Sequence, residues 1–472
     1  MSKAMGKKRI DFTDGPLFWR LIFFALPVMA TGLLQMLYNA TDKWVVGQFS
    51  GDPTALGAIG CTATLGAFII NFMAGIGGGT GVVVAQLFGA RREKETGRAV
   101  HTALILAAVL SLALTVVGYI TLVPMLNLLG TQAEFMPGAT LYLSITYIGI
   151  VATAVYNFGA SILRAVGDSR TPLVIGAASG LLNVLFNVVF VVGFGMSVDG
   201  VAIATIISQY FSAVCVLVVL SRRRGESYQF SFKKLAVDTV LLRRIIRVGV
   251  PTGLQSCCFT ITNLFTVSAV NTFPGEYVTA FSVSSNIDGF LDVTSGAFMQ
   301  SSMNATGQNY GACKPKRIRR VFFYSLIQAA GFVFMLAMIL RAFRPEIAGV
   351  FVAGDVDGRD KIIAAVVEWT GIMLATYFMQ GVMNAVIGTV RGLGYSLSPL
   401  SLNIIGTCVV RAIWIFLVFP LDMFHTFSGL AMLYPVSWTT ASLMCSILIV
   451  ISFRKIGKME SMENQDKERV GG

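Results

Sequence analysis

Twelve long apolar runs follow one another along this chain, and no stretch between them is large enough for a soluble domain. They fall at 16–41, 54–80, 98–122, 136–158, 169–192, 199–221, 244–270, 277–305, 319–341, 361–385, 396–419 and 429–453. A helix crosses the hydrocarbon layer in roughly 20 residues, so each run is long enough to span. The runs are too long for barrel strands and do not alternate as barrel strands do. Of the 472 residues, 55% are hydrophobic and 13% charged, about half the charge of a soluble domain. That much charge cannot cover a soluble surface, which excludes a water-soluble enzyme, a disordered protein and a fibrous repeat. The fold class expected is an all-α membrane protein with twelve transmembrane helices.

The formal net charge is +12. On a soluble protein it would suggest nucleic acid; here its placement gives another answer. With the amino terminus inside, thirty of the 36 Lys and Arg lie in cytoplasmic segments. Lys43, Arg341, Arg344, Arg359 and Lys361 lie in outer loops, and Arg411 lies within a run. The positive-inside rule then sets both termini in the cytoplasm and makes the span count even, with no nucleic acid needed to explain the charge. The first run follows a basic start but is long and lacks a small-residue cleavage site, so a retained span is expected. Seven cysteines, an odd number with no CxxC spacing, lie mostly in apolar runs and are expected to be small core residues.

The longest cytoplasmic segment, about 222–247, opens on Arg222-Arg223-Arg224. From Phe232 to Arg247 it mixes Leu, Val and Ile with Lys and Arg, a composition suited to a helix on the membrane surface. It divides the chain into an amino-terminal six-helix lobe at 1–221, a linker at 222–243, a carboxyl-terminal six-helix lobe at 244–453 and a tail at 454–472, expected to be disordered. The halves repeat. Pro27 answers Pro251, Gln86-x-x-Gly89-Ala90 answers Gln308-x-x-Gly311-Ala312, and Arg164-x-x-Gly167 answers Arg391-x-x-Gly394. From Pro to Gln the gap is 59 residues in one half and 57 in the other. Two pseudo-symmetric six-span halves inserted in the same orientation are a transporter architecture, with substrate bound between them and alternating access by rocking. No GxxxxGK[ST] loop is present for a nucleotide-driven pump, which leaves an ion gradient as the energy source.

Ionisable groups inside spans are functional candidates. Asp42 comes 26 residues after the start of span 1, about 39 Å along a helix, in the outer half of the membrane, with Pro27 able to bend the helix below it. It reads either as an interfacial carboxylate paired with Lys43 or as a desolvated one that accepts a proton or a sodium ion. Asn183 and Asn187, i and i+4 in span 5, share a face and serve either helix packing or a cation site beside Asp42. Asp288 and Asp292, also i and i+4, share a face of span 8. Arg411 is the expected counter-charge, in a structural ion pair or a transport role. Glu368 lies near the outer end of span 10 and can reach the interface. His101 and His425 show no metal or catalytic pattern, and no catalytic cluster supports an enzyme.

Several of these segments together resemble the multidrug and toxic compound extrusion (MATE) transporters, of the bacterial branch that includes the DNA-damage-inducible type. The carrying motifs are Leu26-Pro27 with Asp42, Gln86-x-x-Gly89-Ala90, Arg164-x-x-Gly167-Asp168 with Pro172, Asp199 to Thr205, and Gln308-Asn309-x-Gly311-Ala312. The resemblance runs from about Gly15 to Arg454. It implies proton- or sodium-coupled antiport of amphiphilic, often cationic organic compounds, by a monomer in the bacterial inner (cytoplasmic) membrane with no further cofactor. It places the coupling-cation site at Asp42, Asn183, Asn187 and Thr205, with Pro27 as hinge. The family often has an aspartate where this chain has Asn187. The acid expected in span 10 is replaced by Gln380, and span 7 offers Gln255 but no carboxylate, while Asp288 matches a position acidic in some members. A cavity or secondary polar site would draw on Tyr38, Gln255, Asp288, Asp292, Gln380 and Arg411. The alternatives are a flippase for lipid-linked precursors, which would need a wide basic cavity, and a membrane-embedded enzyme or receptor.

Overall fold

The computed structural model describes residues 9–352 and 358–471, with the side chains of all but 446 and 462–471. Lys3, Lys7 and Lys8 of the basic start lie outside the described residues. Twelve helical columns follow the twelve apolar runs. They are α1 (Leu17–Phe49), α2 (Ala55–Gly89), α3 (Glu93–Leu128), α4 (Met136–Ile148 with Ile150–Ala165), α5 (Arg170–Asn187, continued by the π-helical Val188–Gly193) and α6 (Val198–Arg222). After the linker come α7 (Thr239–Val270), α8 (Gly275–Gly311), α9 (Pro315–Ala342), α10 (Arg359–Thr376 with Phe378–Gly392), α11 (Leu397–Asn403 to the π-helical Trp414–Val418) and α12 (Leu433–Gly471). Among the described residues, nine helices are long and apolar enough to cross a membrane, and eleven are if the bent pairs of α4 and α10 each count as one. The remaining column, α8, is 37 residues long but rich in Ser, Thr, Asn and Asp.

Most helices overrun the apolar runs that mark them, because backbone groups stay paired only while the helix continues. Two features have no apolar signature. α4 bends by 47° between Ile148 and Ile150 and α10 by 44° between Thr376 and Phe378. α5 and α11 each pass into π-helix, a form common at functional sites.

The repeat is visible in the backbone. After α2 the amides of Ala90, Arg91 and Arg92 donate to the carbonyls of Gln86, Phe88 and Leu87; after α8 those of Ala312, Cys313 and Lys314 donate to Gln308, Tyr310 and Asn309. Arg91 and Cys313 are the two non-glycine residues with positive φ among the described residues, at 54° and 53°. The ends of α4 and α10 match too, with Gly167 at φ 88° and Gly394 at φ 91°, where glycine alone fits without strain.

Two compact units divide the chain: 1–11 with 26–256, and 12–25 with 257–472. These limits differ from the sequence-derived lobes. The first turns of α1 pack with the second unit, where Ser301 donates to the Leu21 carbonyl and Gln328 to that of Phe18. The first turns of α7 pack with the first unit, where Gly249 and Gly253 meet Gly79 and Gly75 of α2 backbone to backbone. Small residues spaced by four permit that close approach.

The linker corrects one expectation. No separate surface helix forms over 232–247; one 3₁₀ turn, Phe232–Lys234, precedes the start of α7 at Thr239. Asp238 caps α7, its Oδ1 accepting from the amides of Val240 and Leu241 at 3.1 Å. Tyr228 and Phe230 are buried in the first unit's core, and His101 holds the linker through Nε2 and Ser231 at 3.1 Å. The tail is a second correction. It continues α12 to Gly471, since its Lys, Glu, Met and Gln are good helix formers, and Glu460 is tied to Arg319 at 2.8 Å.

Candidate functional site

Four side chains of the first unit form one hydrogen-bonded chain. Asn187, at the last α-helical position before the π-helical turn of α5, donates from Nδ2 to Asp42 Oδ1. The same Nδ2 approaches Asn183 Oδ1 at 3.4 Å, and Asn183 Nδ2 donates to Thr205 Oγ1 on α6 at 3.4 Å. Asn183 and Asn187 are buried, while Asp42 is half-buried. The i,i+4 spacing sets both amides on one face, and that face meets α1 at Asp42. Lys43 is exposed, and among the described residues no ion pair within 4 Å joins it to Asp42. The interfacial Asp42–Lys43 pair is therefore not formed.

Asp42 lies on the wall of a cavity of about 370 Å³ within this unit, lined also by Tyr38, Asn183, Thr205 and Gln209. Asp42 is the one formally charged residue of the lining. Tyr38 lies flat against Gly180 and donates to the Ala177 carbonyl at 3.2 Å. Asn187 Oδ1 and Gln209 Oε1 are buried with no hydrogen-bond partner among the described residues. Carboxylate, amide and hydroxyl oxygens thus gather about one negative charge, the donor set a hard cation takes. Gln209 went unremarked in sequence reasoning, although it lies four residues after Thr205 on the same face.

The second unit holds the other polar group. Asp288 accepts from Tyr377 Oη at 2.7 Å, and Asp292 accepts from Gln380 Nε2 at 2.9 Å. Tyr377 stands at the bend of α10 and was also missed; its only sequence signal is the i,i+3 spacing from Gln380. Arg411 of α11 is buried, but among the described residues no ion pair within 4 Å joins it to either aspartate. Its hydrogen bonds go to Ser437 and Asn263, so the expected contact pair is replaced by neutral partners. Gln255 is buried and belongs to the first unit. Glu368 is exposed and accepts from Ser428. Pro27 interrupts the hydrogen-bond ladder of α1 two residues after the chain leaves the second unit.

Membrane-crossing helices around a polar cavity with a single carboxylate are the makeup of a small-solute carrier. The MatE family profile matches residues 27–189 and 251–417, one block in each half of the chain. The chain belongs to this family, the multidrug and toxic compound extrusion transporters, and is a multi-pass membrane transporter rather than an enzyme. Among its relatives is the probable multidrug resistance protein YpnP of Bacillus subtilis, 26% identical over 86% of this chain and 89% of that protein. The FAD transporter of Shewanella oneidensis is 23% identical over 94% of this chain and 96% of its own. A crystal structure of MATE in complex with MaL6 superposes with a TM-score of 0.87 at 20% identity, covering 96% of this chain and all of that one. An outward-facing multidrug resistance MATE transporter gives 0.86 at 20% identity, over 96% and 99%. At these identities the structures establish the fold.

Proposed function

We propose that this chain exports amphiphilic, cationic organic compounds across the bacterial inner (cytoplasmic) membrane in exchange for a proton or a sodium ion, as a monomer with both termini cytoplasmic. The chain Thr205–Asn183–Asn187–Asp42 at the cavity wall carries the reading. A carboxylate there has one amide donor and room for further partners. A proton, a sodium ion and a substrate cation compete for the same charge, so loading one releases another. One carboxylate matches one monovalent ion per cycle. The relatives named for multidrug resistance support the cargo class, and the concentration of 30 of the 36 Lys and Arg in alternate segments between the spans supports the orientation. A lipid-precursor flippase would want a basic cavity, whereas this one carries Asp42 as its only formal charge.

The test is efflux of a cationic dye from reconstituted vesicles under a proton gradient or a sodium gradient, imposed one at a time. The wild type should respond to one of them. Asp42→Asn should insert normally and lose the response, with transport falling to that of empty vesicles. Wild-type rates from Asp42→Asn would remove the site assignment.

A further inference from the structure

Arg411 is a buried cation with only neutral contacts. It stands in the short α-helical stretch Val410–Ile413, between the π-helical stretches Ile404–Val409 and Trp414–Val418, and is 5% exposed. Nε donates to Ser437 Oγ at 3.2 Å and Nη1 to Asn263 Oδ1 at 3.4 Å. The guanidinium carbon lies 4.9 Å from the centre of the Tyr434 ring. A guanidinium has five N–H donors, and Nη2 has no protein partner among the described residues. A membrane-buried charge left without a counter-ion is costly, so such groups mark ligand and ion sites.

The two aspartates of α8 show the complementary pattern. Each carboxylate takes one neutral donor, from Tyr377 or Gln380, and Asp292 is exposed. Gln380 Oε1 is buried without a partner among the described residues. The Tyr434 ring beneath the Arg411 guanidinium packs on Trp438 at 5.1 Å, and Trp438 packs at 4.7 Å on Tyr377, the donor to Asp288. Among the described residues no ion pair within 4 Å joins Arg411 to either carboxylate. A purely structural triad would close these charges on one another; here neutral side chains hold the opposite charges apart with free valences on each.

We infer that this part of the second unit is a subsite for a zwitterionic solute: Arg411 takes its carboxylate, and Asp288 with Asp292 takes its cationic group. The planar fork of arginine pairs with a carboxylate through two parallel bonds. With both carboxylates ionised, two of them opposite one arginine give the empty site a net charge of −1, so it then accepts a plain cation, less tightly. The site differs from the cavity at Asp42, whose wall has no positive group. The inference rests on the export reading only for its setting, because binding at equilibrium needs no ion gradient.

The experiment is a fluorescence titration of the full-length protein in detergent with a matched dye pair, a rhodamine with a free carboxylate and its methyl ester. The two share the cation and differ only at the acid. The wild type should bind the free acid about ten-fold more tightly, the scale of one charge-assisted pair. Arg411→Gln should abolish the preference, and Arg411→Lys should keep part of it. Asp292→Asn should weaken both dyes and preserve the preference. Equal affinities in the wild type, or a preference that survives Arg411→Gln, overturn the proposal. Where Arg411→Gln does not fold, Arg411→Lys decides, and an undiminished preference in it overturns the proposal. Titration in phosphatidylcholine nanodiscs with and without phosphatidylethanolamine separates a soluble zwitterion from a lipid headgroup. Displacement of the acid dye by phosphatidylethanolamine overturns the assignment to a solute. Failure of ion-driven efflux beside an intact acid preference would sink the exporter reading and leave this site standing.

Discussion

Asn187→Asp should raise the number of coupling ions from one to two. In the wild type the Asn187 amide touches the Asp42 carboxylate as a neutral donor, so the pair carries one negative charge. The variant sets a second carboxylate where the amide was. Two unit charges about 3 Å apart at an effective dielectric of 20 repel by about 5 kcal/mol. That is between three and four orders of magnitude in occupancy, so the pair cannot stand empty beside a cavity; a first cation relieves the repulsion, and the remaining carboxylate offers a site for a second. The assay is a balance measurement in vesicles. An outward substrate gradient is set against an inward ion gradient, and the substrate ratio at zero net flux is plotted logarithmically against the ion ratio. The slope should be one for the wild type and two for Asn187→Asp. Moving the carboxylate, with Asp42→Asn added to Asn187→Asp, should return the slope to one. A slope of one in Asn187→Asp, with transport intact, would refute the claim that these two side chains share the ion.

Gly79→Leu should lower thermal stability by at least about 2 kcal/mol, by driving a side chain into the backbone of Gly249. Gly78→Leu, facing open space one position away, should leave the melting midpoint of the purified protein near that of the wild type. Asp238→Ala removes the cap of α7 at a cost of about 1 kcal/mol. Amide exchange across 239–242 should therefore quicken about five-fold, and unchanged exchange would show the cap to be idle. Asp52, in the loop after α1, is held below the ordinary carboxylate range, first by the Thr54 hydroxyl and then by the Thr54 amide. A lowered value in the fold means its stabilisation is complete above the ordinary value, about 3.9, and is lost as pH falls through the lowered one. The Thr54 amide should exchange faster, relative to neighbouring loops, on acidification through that range, and Asp52→Asn should remove the dependence.

How much of this was legible in the chain follows from what each feature needs. The spans are legible because apolar residues run unbroken over most of each crossing and charges cluster between the runs, with Asp288, Asp292 and Arg411 standing out as exceptions inside them. The face shared by Asn183 and Asn187 follows from helix periodicity, and its meeting with Asp42 and Thr205 came through resemblance, because three separate helices are involved. The bends at Gly149 and Tyr377 and the π-helical turns were not legible, as they change hydrogen-bond partners without changing hydropathy. Arg411 shows the limit most directly. Charge alone predicts that it closes on Asp288 or Asp292, but whether it reaches them depends on where Ser437 and Asn263 stand, and those lie on α12 and α7.

The chain crosses from one compact unit to the other just before Pro27 and again just after Pro251. Each unit therefore borrows the opening turns of a helix whose remainder belongs elsewhere. The consequence is one of modularity. A cut in the linker ahead of α7 would not release two finished halves: the first would lack 239–256 and the second would lack 12–25. The chain is shared between the units rather than divided at the linker, and a half of it expressed alone would expose the glycine seam of α2 where Gly249 and Gly253 belong. Whatever one unit does in a transport cycle, it does while holding on to a piece of the other's chain.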